Sequence, residues 1–168
     1  MPAKKFIRLV GGVLTEVFGI QSSAGAANAG DVPVLDETGR LDNSMMPVGI
    51  GADTAVIVTS EALAAGDFVN IHNSTGAKAR KADATTAGKE AHGFVLAAVT
   101  SGGSATVYFE GTNTQVTGQT PGNVFLQTTA GTAGVTVPSA SGNVVQQLGV
   151  ATSATSINFE RGAPVVLA

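Results

Sequence analysis

The chain has 168 residues, a formal net charge of −3 and neither cysteine nor tryptophan. The lack of cysteine excludes disulfides, thiolate metal sites and thiol nucleophiles, and the acidic balance does not favour nucleic-acid binding. Charged residues make up only 12% of the sequence, about half the usual share. Residues 111–168 contain just two of them, Glu160 and Arg161. Because surface charge keeps soluble monomers apart, this depletion predicts a homo-oligomer with residues 111–168 at its interface, and we favour a trimer over a dimer.

The first 50 residues predict an extended N-terminal arm. Residues 6–20 hold two short apolar stretches separated by Gly11 and Gly12, and their β-branched and aromatic content favours a short β-hairpin, or two extended pieces, over a helix. Arg8 and Glu16 interrupt the apolar run that a secretory signal requires, so we expect no cleavage. The longest apolar run of the chain has six residues, far below the roughly 18 of a membrane helix, and we predict no membrane partner.

From residue 21 to residue 52 we expect no regular element, because the sequence is rich in glycine, alanine and turn-forming residues. An arm of this kind cannot bury its own apolar side chains, which therefore need another surface. The predicted contact residues of the arm are Phe6, Ile7, Leu9, Val34, Leu35, Leu41, Met45 and Met46.

Residues 51–168 predict one β-domain, in which residues 61–111 and 117–162 are two similar copies. The copies share the segments GDFV, GFV and VYFEG in the first and GNVF, GVA and INFERG in the second. The first two segments begin 27 residues apart in both copies, and two copies are too few for a solenoid. The predicted fold is all-β: a small β-barrel or β-sandwich built from two similar halves, preceded by the arm. Alternation along the matched strands predicts that Val107, Phe109, Ile157 and Phe159 are buried.

No sequence pattern favours catalysis, and we predict no enzyme activity, cofactor or metal. His72 and His92 are the only imidazoles, and neither has neighbours at the spacing of a metal site or a catalytic triad. Asp36 and Asp42 are predicted to cap turns beside Gly39, and the alternative is a cation site formed by Asp36, Glu37 and Asp42.

One cluster of positive charge occurs in the β-domain. It consists of Lys78, Arg80, Lys81 and Lys89. A solvated strand face is the first interpretation of this cluster, and docking onto an acidic protein surface is the second.

Residues 35–47 carry the pattern aliphatic-D-x-x-G-x-L-D-x-S-x-x-P. This pattern resembles a recurrent segment of head-decoration and tail-fibre proteins of tailed bacteriophages. The segments 116–126 and 142–151 are similar to β-modules of the same proteins, so that the resemblance covers most of the chain from Gly30 onward.

The resemblance implies a capsid decoration (cement) protein without a catalytic site. Such a protein binds the outer surface of the head shell, with the major capsid protein as its partner, and bridges capsid subunits through an extended arm. Its place would be the virion, after assembly in the host cytoplasm. The alternative is a head- or tail-fibre protein or its virion-anchoring module. A carbohydrate-binding β-module is a third possibility. Such a module would require exposed aromatic platforms, whereas this chain has one tyrosine and no tryptophan.

Overall fold

A computed structural model of the protein describes residues 4–46 and 52–168. The chain divides into two compact units, Met1–Gly51 and Ala52–Ala168. The fold is all-β, which confirms the predicted class. The described strands are β1 (Lys5–Val10), β2 (Val13–Phe18), β3 (Thr54–Thr59), β4 (Phe68–Asn73), β5 (Ala77–Lys81), β6 (Gly93–Val95), β7 (Ser104–Tyr108), β8 (Gly111–Asn113), β9 (Gly122–Leu126), β10 (Ala133–Gly134), β11 (Val144–Val145), β12 (Gln147–Ser153), β13 (Ser156–Phe159) and β14 (Val165–Val166).

Within residues 4–46 and 52–168, helical structure is limited to two short 3-10 turns, Gly25–Asn28 and Asn43–Met45. Nowhere in the described ranges is there a helix long and apolar enough to cross a membrane.

The N-terminal unit is built on an antiparallel hairpin of β1 and β2. Its two-residue turn places Gly11 at φ +56° and Gly12 at φ +87°. A two-residue turn with positive φ at both positions matches the right-handed twist of the flanking strands, and glycine adopts such angles without steric cost. The segment after β2 runs back beside the hairpin through a parallel bridge between Ile20 and Pro33. The hairpin is therefore the form that the two apolar stretches take.

The first half of the larger unit is a closed barrel with the order β3-β5-β4-β6-β7. It closes because β3 is long enough to pair antiparallel with β7 over most of its length and parallel with β5 at its end. Its interior is filled by small apolar side chains, as the narrow lumen of five strands requires. They are Leu63, Val69, Ala79, Val95, Ala105 and Val107.

The second half is an open sheet with the order β10-β9-β12-β13-β8. Written from β5, the barrel order is β5-β4-β6-β7-β3, so that the strands of the two halves correspond one to one in these two orders. The central register also matches: Val95 pairs with Val107 in the barrel, and Ala151 pairs with Ile157 in the sheet. The topological repeat also includes β3, which lies outside the two copies recognised in the sequence, and β8, which starts at the last residue of the first copy. The two halves therefore share one strand topology, which forms a closed barrel in the first half and an open sheet in the second. The remaining strands, β11 and β14, form a separate antiparallel pair.

The main core lies between the two halves. Strands β4 and β6 are buried on both faces: Val69 and Val95 point into the barrel, whereas Phe68 and Phe94 pack against the second sheet. Phe159 of β13 completes an aromatic cluster, with ring centroids 5.7 Å from Phe68 and 5.6 Å from Phe94. This packing explains why adjacent apolar side chains, Phe68-Val69 in β4 and Phe94-Val95 in β6, are all buried although they point to opposite faces.

Three of the four side chains predicted to be buried are buried, namely Val107, Ile157 and Phe159. Phe109 differs, because it is only half-buried. Strand β7 ends one residue earlier, at Tyr108, so that Phe109 packs on the margin of the barrel core rather than between two layers.

Candidate docking surface of the N-terminal unit

The register of the β1–β2 hairpin sorts its side chains onto two faces. Residues that pair directly in an antiparallel ladder lie on the same face, and neighbours along a strand alternate. One face, called the open face below, consists of Lys5, Ile7, Leu9, Leu14, Glu16 and Phe18. Its apolar members are strongly exposed, with Ile7 at 75% and Leu14 at 73%.

The opposite face is partly covered by the unit's own chain. Phe6 and Val34 close over Gly19: a Cβ at Gly19 would lie 2.3 Å from Val34 Cγ1 and 3.0 Å from Phe6 Cε2, so that only glycine fits. Arg8 Nη1 also donates a hydrogen bond of 3.0 Å to the carbonyl of Gly30. These contacts cover the part of the opposite face near Gly19, whereas the apolar side chains of the open face stay exposed.

Charges on the open face are neutralised within the hairpin. Lys5 forms an ion pair with Glu16, and its ammonium lies 4.9 Å from the centroid of the Phe18 ring. Exposed ion pairs add little stability. Their effect here is to remove net charge from the face, so that it presents an apolar surface at low electrostatic cost.

The pattern at residues 35–47 consists of two successive aspartate-capped turns over its described part. Asp36 Oδ1 accepts the backbone N–H groups of Thr38 (2.8 Å) and Arg40 (3.0 Å), while Gly39 adopts φ +78°. Asp42 Oδ1 accepts Ser44 N–H at 2.9 Å and so caps the second 3-10 turn. The structure thus confirms the turn-forming role of both aspartates.

Hydrogen bonds lower the pKa of both carboxyl groups. The largest contribution at Asp36 is the Arg40 N–H, and at Asp42 it is the Ser44 hydroxyl. Both side chains are therefore held ionised in the folded loop, where the carboxylate is the better acceptor. The loop projects Leu41 outward, beside a groove of about 460 Å³ that Pro33, Val34 and Leu35 also line.

The structure separates the predicted contact residues into groups. Ile7 and Leu9 lie on the open face, Phe6 and Val34 pack against each other, Leu35 and Leu41 line the groove, and Met45 and Met46 belong to the capped turn. The sequence-based selection omitted Leu14 and Phe18, which share the open face with Ile7 and Leu9. Gly11 and Gly12 carry the information needed to identify Leu14 and Phe18. A two-residue turn at these glycines pairs Leu9 with Leu14 and so places both on one face.

The polar groups of the larger unit serve mainly internal contacts. Arg80 donates to Asn70 and to the Gly88 carbonyl, Lys81 pairs with Asp67 at 3.1 Å, and Lys89 pairs with Asp83 at 2.9 Å. These engagements weaken the alternative that the basic cluster docks onto an acidic surface.

The two histidines lie in different settings. His72 Nε2 is 2.9 Å from the Ser60 hydroxyl, and His92 Nδ1 accepts the Ile71 N–H. Within residues 4–46 and 52–168, no group of three or more His, Asp or Glu side chains is arranged to hold a metal ion.

No protein-family model matches this chain, and no curated protein or solved structure is significantly similar to it.

Proposed function

We propose that the protein is a capsid decoration protein of a tailed bacteriophage, which binds the outer surface of the head shell and contacts the major capsid protein through its N-terminal unit. The observation that carries this proposal is the open face of the hairpin. A two-stranded hairpin is at best marginally stable in water, and this one exposes Ile7, Leu9, Leu14 and Phe18 together. Burial against a partner would remove that apolar surface from water, at about 25 cal/mol per Å².

The capped loop at residues 35–46 is a second observation that supports the proposal. The sequence pattern that resembles phage decoration and fibre proteins encodes a defined local structure, in which Asp36, Gly39 and Asp42 each have a conformational task. A loop that is preordered loses less conformational entropy on docking than a flexible one. Leu41 and Met46, both exposed, would then add to the contact of the open face.

Stabilisation of the shell would come from multivalent contact. Each subunit that touches two or more capsid subunits gains effective concentration for its second contact. A homo-oligomer, with a trimer favoured, would multiply this effect, and the charge-poor residues 111–168 would supply its interface. The proposal requires no catalysis and no cofactor from the protein.

The experiment starts with the location of the protein in the virion. Purified heads and purified tails are compared on denaturing gels, and a decoration protein is expected in hundreds of copies with the heads. Detection in the tails, or in a few copies per particle, would favour the fibre alternative.

Heads lacking the protein are then incubated with the purified chain and heated beside undecorated heads. Binding to the intact shell alone should raise the rupture temperature by mass action. Equal rupture temperatures at full occupancy would contradict the cementing role.

A further inference from the structure

The two halves of the larger unit differ in the pairing that closes the barrel. In the first half, Val58 and Thr59 of β3 pair in parallel with Lys78 and Ala79 of β5. Ser60 extends this pairing by donating its N–H to the Ala79 carbonyl at 2.9 Å. This position, between β3 and β5 in the first half and between the edge strands β8 and β10 in the second, is the seam.

In the second half the chain turns away before a seam can form. Strand β8 ends at Asn113, whose buried side chain donates to the Gly66 carbonyl at 2.9 Å and accepts the Gln115 N–H at 3.1 Å. Asn113 pairs with Ile157 as Ala55 pairs with Val107, so that Val116 corresponds to Val58. Val116 is buried in the core between the halves. The strand that would complete the second barrel is therefore used for packing instead.

The edge opposite this turn, at β10, presents backbone groups to the seam. Gln127 N–H donates to the Thr132 carbonyl across the β9–β10 ladder, and Leu126 pairs with Ala133 at the next position. Because hydrogen-bonded and non-hydrogen-bonded pairs alternate in an antiparallel ladder, the N–H and C=O of Ala133 point away from β9. They face a cleft of about 160 Å³ lined by residues 115–117, 119 and 131–133 and by residues 65–68 of the first half. Among the described residues of this lining, Asp67 alone is charged, and it pairs with Lys81 at 3.1 Å.

The side chain of Gln119 crosses the seam, but only its amide nitrogen finds partners there. Gln119 Nε2 lies 3.2 Å from the Thr117 carbonyl and 3.4 Å from the Ala133 carbonyl. These two acceptors fix the amide orientation, because a flipped amide would set its oxygen against both. Gln119 Oε1 is buried, and no group in the described ranges donates a hydrogen bond to it. A buried acceptor is costly unless water or another chain donates to it, and the cleft beside Gln119 is where such a donor would enter.

We propose that the open edge at β10, together with Val135 and Val137 beyond it, is the self-association site at which an extended segment of a second copy of this chain adds a strand. The first half shows that this strand order accepts a parallel strand at the same position. A second copy is the occupant that fits the chemistry, because the half around the seam carries charge only at Glu160 and Arg161 and exposes several valines. Heterologous strand addition of this kind forms a ring, such as the proposed trimer, when the rotation between successive copies closes, and a filament when it does not.

The inference rests on the self-association included in the proposed function, and sedimentation of the full-length protein tests it without a capsid. Val135→Glu places a charge beside the open edge. Val56→Glu is its matched control, since Val56 is exposed on the barrel at 72% against 48% for Val135. Ala133→Pro removes the backbone donor that points into the seam and no hydrogen bond of the β9–β10 ladder.

The expected result is an oligomer for the wild type and for Val56→Glu, and a monomer at the same concentration for Val135→Glu and Ala133→Pro. Hydrogen exchange over residues 131–137 should be slow in the oligomer and at least tenfold faster in Val135→Glu, whose circular dichroism should equal that of the wild type. Oligomers that survive both substitutions, or that Val56→Glu dissolves equally, would overturn the seam proposal alone. A wild type that stays monomeric would overturn self-association as well. Head binding, measured separately, reports on the decoration role.

Discussion

Gln146 and Ala91 join the two halves of the larger unit through a pair of hydrogen bonds. Ala91 N–H donates to Gln146 Oε1 at 2.8 Å, and Gln146 Nε2 donates to the Ala91 carbonyl at 2.9 Å. Both residues are fully buried. The amide of Gln146 thus imitates one rung of a β-ladder where no strand is present, and it satisfies both backbone groups of a residue inside the main core.

Replacing Gln146 by Leu should destabilise the protein strongly. The substitution removes both hydrogen bonds and leaves the N–H and C=O of Ala91 buried without partners, at roughly 1–3 kcal/mol for each group. We therefore expect the free energy of unfolding to fall by about 2–5 kcal/mol in urea titrations. The matched control is Gln147→Leu one residue later, where the side chain is exposed and the change should stay within about 0.5 kcal/mol. Equal effects of the two substitutions would contradict the bridging role.

The aromatic cluster predicts an asymmetry between two matched phenylalanines. Phe159→Ala empties a site between Phe68 and Phe94 and should cost about 3–5 kcal/mol of unfolding free energy. Phe109→Ala should cost less, because its side chain is only half-buried. Urea unfolding monitored by circular dichroism measures both values. A larger loss for Phe109 would show that the barrel interior, and not the layer between the halves, dominates stability.

Adjacent residues on the two faces of the hairpin can be substituted to test whether the open face is the docking surface. Leu14→Asp charges the open face, whereas Val13→Asp charges the opposite face, and both side chains are exposed. Leu14→Asp should weaken binding to undecorated heads at least tenfold, and Val13→Asp should bind within about threefold of the wild type. Fluorescent labelling and co-sedimentation with heads measure the occupancy. Similar losses for both variants would show that the open face is not the contact.

Deleting residues 1–50 tests the same unit as a whole. The remaining β-domain has its own core and should unfold cooperatively, while binding to heads should be abolished or greatly weakened. Occupancy equal to that of the full chain would show that the β-domain, and not the N-terminal unit, is the anchor.

The stability of the larger unit should fall in two steps as the pH decreases. Burial lowers the pKa of His92, and the charge of Arg161 adds to this effect. Below about pH 6.5 the unfolded chain takes up a proton at this histidine that the folded chain resists, so that unfolding becomes easier as the pH falls. Protonation would also break the 3.0 Å hydrogen bond that Nδ1 accepts from the Ile71 N–H.

The second step belongs to Asp83. Burial raises the pKa of Asp83, but the Thr85 and Lys89 hydrogen bonds outweigh this and hold it below its usual value. Its stabilising contribution is present above about pH 4 and is lost as the pH falls further. Urea titrations between pH 8 and pH 3 should show both steps, and His92→Asn should remove the first one only. A first step that persists in His92→Asn would assign it to another group.

Several features of this protein could be predicted from the sequence because they depend on local chemistry. Gly11 and Gly12 between two β-branched stretches predict a hairpin, and Asp36 and Asp42 beside Gly39 predict capped turns. The paired 27-residue intervals predict two similar halves, since hydrophobic alternation and turn residues set strand positions within a few residues of chain. The all-β class and the burial of Val107, Ile157 and Phe159 follow from the same patterns.

Only the tertiary structure decided which of the two halves closes. Val58 and Val116 occupy corresponding positions, but one completes a seam and the other is buried between the halves. The residues before them differ, since Val58 follows an apolar run and Val116 a polar one. This difference does not set where each segment packs, which depends on contacts with residues far along the chain, such as that of Asn113 with Gly66. The face of the hairpin that stays open was likewise decided by the return of Val34 over Gly19. A residue's neighbours determine its strand and turn preferences, whereas packing against distant segments determines which face or edge remains unpaired.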